Sequence, residues 1–444
     1  MKRENFPFPV VVPNVKVHAE RRKRLAKNLK EGLVLLATAP EATRNADAHY
    51  DYRWDSHFYY LTGFREPEAV LAIVLGKKPR HILFCRDKNM EREIWDGFRF
   101  GPLMSKEVFD FDESYSISEL ESRIPDLMGN QDVVYTPVGA SAEWDQSVTR
   151  WLNVVRSRTR QGITAPAELR DLRSIVGKMR LIKDKAEIEI MARAGKISSD
   201  AHARAMRMAK PGMFEYQVEA EVLHEFVKNG ARQPAYGSIV ATGGNACVLH
   251  YRENSAQIKK GDLMLIDAGC ELESYAADIT RTFPVGGKFS GPQKDIYELV
   301  LESQLACIKA VKPGAPFGKY HDVANQVLAQ GLIDLKLCKG SLQSVLEKET
   351  YKQFYMHRAG HWLGLDVHDA GDYKRDGKWI SLKPGMVVTV EPGLYIRPAD
   401  NVPKHFWDIG VRIEDDILVT EKGNRNLTET CPKSVKDVEA LTAG

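Results

Sequence analysis

The sequence predicts an α/β domain over residues 1–176, then an α+β domain over residues 177–444 built twice from one repeated unit. Three observations carry this: the chain is too long for one core, short apolar runs alternate with helical stretches in the first third, and the remainder echoes itself. At 444 residues the chain exceeds the size at which a single core stops growing, so two or three domains are expected. With 43% hydrophobic and 28% charged residues the composition is that of a folded globular chain, which excludes global disorder.

In the first third, Gly32-Leu33-Val34-Leu35-Leu36-Ala37, Ala69-Val70-Leu71-Ala72-Ile73-Val74-Leu75 and His81-Ile82-Leu83-Phe84 are of strand length and almost wholly apolar. Such runs suit a sheet covered on both faces. The run Arg21-Arg22-Lys23-Arg24 precedes Leu25, Leu29 and Leu33 at helical spacing and is read as a solvated helix face. The domain boundary is expected near residues 174–184. There Asp184 can cap a helix, Glu187 completes a capping-box pair, and an amphipathic helix follows through about Ala209.

The echo lies beyond that helix. Lys210-Pro211-Gly212 opens a turn and a helix ending near Gly230; Lys312-Pro313-Gly314 does the same before a helix ending near Gly331. Lys260-Gly261-Asp262 followed by Leu263-Met264-Leu265-Ile266-Asp267 is mirrored by Lys383-Pro384-Gly385-Met386 followed by Val387-Val388-Thr389-Val390-Glu391. Each is a turn, a buried strand and a carboxylate ahead of glycine. His250 precedes the first strand, and His361 and His368 precede the second, so each half delivers histidine and a strand-end acid. A duplicated unit folded about a pseudo-two-fold axis is expected.

The acids carry the chemistry. A carboxylate closing a buried apolar strand, as Asp267 and Glu391 do, costs several kcal/mol (roughly) unless a cation or hydrogen-bond donors meet it. Asp278 follows the turn around Glu271-Leu272-Glu273-Ser274, so a hairpin can set it beside Asp267. Strand alternation puts Arg412, Glu414 and Asp416 on one face. Four acids repel one another unless cations lie between them, and with one imidazole, His361, they suit a pair of hard divalent ions such as Mn²⁺.

Other chemistries find less support. Ala241-Thr242-Gly243-Gly244-Asn245-Ala246 lacks the spacing of a nucleotide-binding loop and is assigned to a loop near His250. No serine or cysteine stands in a nucleophile elbow, and no Lys/Arg cluster clamps phosphates near the acids. A net charge of +3 implies no nucleic-acid partner. The six cysteines are scattered, as reduced structural thiols are. The stretch Met1 to Val12 has no signal-peptide apolar region, and no run reaches membrane-spanning length, so a cytoplasmic protein is expected.

These motifs resemble a known family. Leu265-Ile266-Asp267-Ala268-Gly269-Cys270, Asp278-Ile279-Thr280-Arg281-Thr282-Phe283-Pro284-Val285, His361-Trp362-Leu363-Gly364-Leu365-Asp366-Val367-His368-Asp369, Thr389-Val390-Glu391-Pro392-Gly393-Leu394-Tyr395 and Val411-Arg412-Ile413-Glu414-Asp415-Asp416 resemble those of the bacterial Xaa-Pro aminopeptidases (aminopeptidase P) of the M24 metallopeptidases. Tyr50-Asp51-Tyr52-Arg53, Ser56, Phe58-Tyr59-Tyr60-Leu61-Thr62-Gly63-Phe64 and Glu66-Pro67-Glu68-Ala69 match that family's first domain, so the resemblance spans nearly the whole chain.

The resemblance implies a creatinase-like α/β N-terminal domain and a pita-bread α+β catalytic domain. It implies two divalent metal ions on Asp267, Asp278, His361, Glu391 and Glu414, with Asp278 and Glu414 bridging. A hydroxide held between the ions would attack the peptide bond before a proline in second position, and Glu391 would shuttle the proton. His250 and His368 would hold the substrate carbonyl and the tetrahedral intermediate, Arg412 and Tyr395 would organise the surroundings, and Tyr395, His357 and Trp95 would contact substrate. It further implies a homo-oligomer, dimer or tetramer. One departure is Met356-His357-Arg358, where relatives often have glycine at the third position; this affects the pocket and not ligand spacing. The competing readings are a dipeptidase of the prolidase kind, a pita-bread module kept for binding alone and, behind both, two-metal phosphoryl transfer.

Overall fold

The structure, a computed structural model, describes residues 14–443; the segment Met1 to Val12, on which the signal-peptide reading rests, lies outside them. The chain divides into two compact units between Met179 and Arg180.

The N-terminal unit is built on a six-stranded mixed sheet. Leu33–Ala37 lies at its centre, antiparallel to Val70–Val74 and parallel to Val133–Thr136. Arg80–Cys85 and Glu113–Ser116 extend one side, Glu168–Asp171 the other. The apolar runs are the central strands, as expected, and Leu33, Leu35, Val70, Ala72, Ile82 and Phe84 form a core with Trp151 and Val155. The basic run departs from expectation. Lys23 and Arg24 are solvated, but Arg21 and Arg22 are buried. Arg22 donates to the carbonyls of Leu61, Phe109 and Asp110, and Arg21 lies over the Tyr60 ring. Carbonyls left open at helix ends accept what water would otherwise take, and periodicity alone does not reveal such partners.

In the second unit the capping box forms as read: Asp184 accepts from Glu187 N at 3.0 Å and Glu187 accepts from Asp184 N at 2.9 Å, opening the helix Lys185–Met208. The echo is a structural duplication. Lys185–Met208 packs with Glu215–Lys228 in the first half, Gly291–Ala310 with Lys319–Asp334 in the second. Strand Leu263–Asp267 is central to the first half, between Ile239–Thr242 and Thr280–Pro284. In the second half Val387–Val390 pairs with Asp415–Val419, and Trp362 bridges to Val388 from the other side. Gly230, with φ +87°, follows the first of the shorter helices as a terminator should. Gly331 does not end its helix. A Cβ there would meet Leu299 Cδ1 at 2.2 Å, so this glycine serves helix–helix approach instead.

Candidate active site

The two repeated strands carry Asp267 and Glu391 to matching ends. Asp267 closes its strand in register with Thr280, and Glu391 follows Val390 directly. Asp278 stands just before the strand Thr280–Pro284 and not within a strand. A tight turn with positive φ at Glu273 and Ser274 joins Cys270–Leu272 to Tyr275–Ala276. The returning chain then passes so close that a Cβ on Gly269 would lie 1.7 Å from the Ala277 carbonyl oxygen. That crossing displaces Asp278 from the ladder and turns it toward Asp267.

Ligand atoms of Asp278, His361 and Glu414 all lie within 4.8 Å of one another. Tyr236 joins Asp267 to this group, its hydroxyl lying 2.6 Å from Asp267 Oδ1 and 2.5 Å from Asp278 Oδ1. Glu391 Oε1 is 3.7 Å from His361 Nε2, and Asp278 Oδ2 is 3.4 Å from it. The His361 Nδ1–H donates to the Trp362 carbonyl at 2.9 Å, which leaves Nε2 turned to the acids. A metal-ligating imidazole is oriented in the same way.

Neighbouring groups hold each acid. Thr280 Oγ1 donates to Glu414 Oε2 at 2.6 Å. Thr389 accepts from His361 N and donates to Glu391. Arg412 donates to Asp267 Oδ2 at 2.6 Å and to the Tyr395 hydroxyl at 3.0 Å; His357 Nε2 lies 2.8 Å from that hydroxyl. Arg281, fully buried, donates to the Glu414 carbonyl at 2.6 Å and to Asp415.

The electrostatics favour added positive charge. Burial first, then mutual repulsion, raises the pKa of Asp278 and holds Glu414 well above the carboxylate range. Glu391 is pushed up to about 7 by burial against the opposing pull of His361 and Arg412. Burial disfavours charge on His361, yet Asp278 and Glu391 outweigh it and raise its pKa to about 9. Anionic oxygens crowd one imidazole, and Arg412 directly answers only Asp267 among the four acids. This donor set fits hard divalent cations.

The other predicted residues are placed as follows. His368 stacks edgewise on His361, ring centroids 4.4 Å apart. His250 is exposed, and is near enough to contribute to the lowered pKa of His357, about 3, and of His368, each chiefly a result of burial. Arg358 lies over the Trp379 ring. Trp95 belongs to the N-terminal unit, on the helix Met90–Asp96, with 82% of its surface exposed. Tyr236 was not anticipated, since Pro234-Ala235-Tyr236-Gly237 has no periodicity to signal it. Thr280 and Thr389 each lie two residues from a candidate ligand, Asp278 and Glu391, at the strand ends that carry them. Asp416 Oδ2 accepts from Asp278 N at 3.1 Å, and burial raises its pKa well above the usual range.

Comparison with known proteins agrees with this geometry. Residues 189–421 match the model of metallopeptidase family M24, and residues 18–135 match the aminopeptidase P N-terminal domain. The chain is 45% identical over 424 residues to a Xaa-Pro aminopeptidase of Escherichia coli (95% of this chain, 96% of that one). It is 34% identical to human Xaa-Pro aminopeptidase 3, covering 92% of this chain and 80% of that one. Among solved structures, aminopeptidase PepP of Pseudomonas aeruginosa superposes with TM-score 0.96 at 47% identity, covering 98% and 99% of the two chains. Zn-substituted E. coli aminopeptidase P in complex with product gives 0.95 at 43%, covering 97% and 99%. The expected creatinase-like and pita-bread folds are both present, and the duplicated acids converge where the two halves meet: the chain belongs to metallopeptidase family M24, with an aminopeptidase P N-terminal domain.

Proposed function

We propose that the protein hydrolyses the first peptide bond of peptides whose second residue is proline, releasing the N-terminal residue. The observation that carries this is the convergence of Asp278, His361 and Glu414, flanked by Asp267 and Glu391, in a chain similar over nearly its whole length to Xaa-Pro aminopeptidases. These five side chains would hold two divalent ions, Mn²⁺ by preference. Bound there, they would supply an activated water and polarise the scissile carbonyl.

The chain's own groups do the rest. Glu391 is assigned to take a proton from the attacking water and deliver it to the departing nitrogen. The bond before proline needs that delivery, because its nitrogen has no N–H and leaves poorly until protonated. His250 and His368 are assigned as donors to the carbonyl oxygen as charge develops on it. Arg412 and the Tyr395 hydroxyl hold Asp267 and His357 in place, and His357, Tyr395 and Trp95 are assigned to the substrate side. Among the described residues no helix is long and apolar enough to cross a membrane; a cytoplasmic address, no nucleic-acid partner and a homo-oligomeric state complete the reading.

The test compares a Xaa-Pro-Yaa tripeptide with a Xaa-Pro dipeptide after reconstitution with Mn²⁺. Faster tripeptide cleavage supports the proposal, whereas preference for the dipeptide would make the protein a prolidase. Absence of bound metal, with Asp267→Ala leaving hydrolysis unchanged, would reduce it to a binding module.

A further inference from the structure

His250 sits on a segment with little regular structure of its own. After the strand Ile239–Thr242 a short 3-10 turn spans Gly243–Cys247, and no further regular element forms until Leu263. A donor to a reacting carbonyl must nonetheless be held to within a fraction of an ångström, and loops are poor at this unless tied.

The tie is Glu215. It is the first residue of the helix Glu215–Lys228 and is fully buried. Its Oε1 accepts from Thr242 N at 2.7 Å, Thr242 Oγ1 at 3.1 Å and Asn245 Nδ2 at 3.1 Å. Its Oε2 accepts from the Tyr251 hydroxyl at 2.8 Å and Ala256 N at 2.8 Å. Every one of these donors lies on the segment Thr242 to Ala256, on both sides of His250, and Tyr251 is its immediate neighbour. The Glu215 N–H in turn donates to the Ala256 carbonyl at 3.0 Å, so helix and segment are locked reciprocally. One turn along the helix, Glu219 accepts from Asn254, which also donates to Ser238 O and accepts from Val240 N at the start of the strand. Five donors and the positive end of a helix dipole thus meet the buried Glu215 carboxylate, so its oxygens are satisfied without a metal.

We propose that Glu215 is a positioning residue for the peptidase reaction: its carboxylate gathers the Thr242 to Ala256 segment and thereby sets the imidazole of His250. The inference rests on the assignment of His250 as a carbonyl donor. Glutamine is nearly isosteric but carries an NH₂ that must face one of the two donor sets, so Glu215→Gln releases one side of the segment.

The experiment measures kcat and KM for a Xaa-Pro-Yaa tripeptide with E215Q, H250A and the double variant, all Mn²⁺-loaded, alongside metal stoichiometry. The expected result is an approximately 30- to 100-fold loss of kcat/KM in E215Q, with bound metal unchanged. The double variant should then lie within about threefold of H250A alone, because a misplaced side chain costs nothing once removed. A multiplicative loss in the double variant, or full activity in E215Q, overturns the proposal. Wild-type activity in H250A overturns the assignment of His250 itself, and the inference with it. Should E215Q fail to fold, Tyr251→Phe, which removes one donor, carries the same cycle with a smaller expected loss of about threefold to tenfold.

Discussion

Replacing Asp369 by asparagine should strongly destabilise the catalytic unit. Asp369 directly follows His368, and its carboxylate accepts from Arg180 at 2.5 Å and Lys183 at 2.9 Å, all three side chains being 1% exposed. Arg180 also reaches Asp366, which is 45% exposed. Burial works against the charge on Asp369, yet Lys183 and Arg180 together hold its carboxyl below the usual carboxylate range. Asparagine keeps the shape but leaves Lys183 buried beside an amide, and Gly364 packs too closely for the loop to swing aside: a Cβ there would lie 2.3 Å from Asp369 Oδ2. Removing one partner of a buried ion pair costs about 3–5 kcal/mol. For a unit of this size, that lowers the melting temperature by about 6–20 °C. Calorimetry on the full chain measures the shift in the transition of the unit carrying Asp369. Lys183→Met should cost less, and D369N combined with K183M should cost less than the sum, because no unpaired lysine remains. A D369N shift below about 3 °C, or strict additivity, would refute the reasoning.

Three further outcomes are expected. Thr280→Val removes the hydroxyl that orients Glu414 and should weaken Mn²⁺ binding by about 10- to 100-fold in calorimetric titration; unchanged affinity would remove Thr280 from the site. Gly269→Ala places a methyl against the Ala277 carbonyl, and soluble protein with wild-type metal content would contradict the crossing that positions Asp278. His18, which bonds the Tyr60 carbonyl, and His202, which bonds the Ala268 carbonyl, are buried as neutral rings, with pKa values lowered by burial to about 3 and about 4. The unfolded chain takes up these protons first. Stability should therefore fall as pH drops below about 6.5, by about 1.4 kcal/mol per pH unit per histidine until the folded-state values are reached. Urea unfolding between pH 7 and 5 checks this, and His202→Gln should flatten the slope.

Much of the site was legible because it violates the rules for strands. Asp267 and Glu391 end apolar runs where an acid is costly, and the echo of turn, strand and acid declared that the two belong together. His361 and His368 stood out by clustering, and alternation placed Arg412, Glu414 and Asp416 on one face. Asp278 was expected in a hairpin strand but lies ahead of one, because Gly269 lets the chain cross at a distance no other residue tolerates. Arg21 and Arg22 were read as solvated from a periodicity that cannot report the carbonyls of Leu61, Phe109 and Asp110, far along the chain. The helix expected to end near Gly331 runs on to Asp334, and the neighbouring Leu299 gives that glycine a packing purpose.

By itself, then, the sequence determined the two-unit organisation, the duplication and the identity of the acids, because these follow from local hydrophobic period and from the cost of burying charge. Only the tertiary structure decided which hydroxyls and cations hold those acids. Tyr236 between two aspartates, Glu215 beneath the His250 segment and Asp369 between Arg180 and Lys183 are pairings between residues distant in sequence. A hydrogen bond depends on distance and angle in space, and those are set only when the halves fold together.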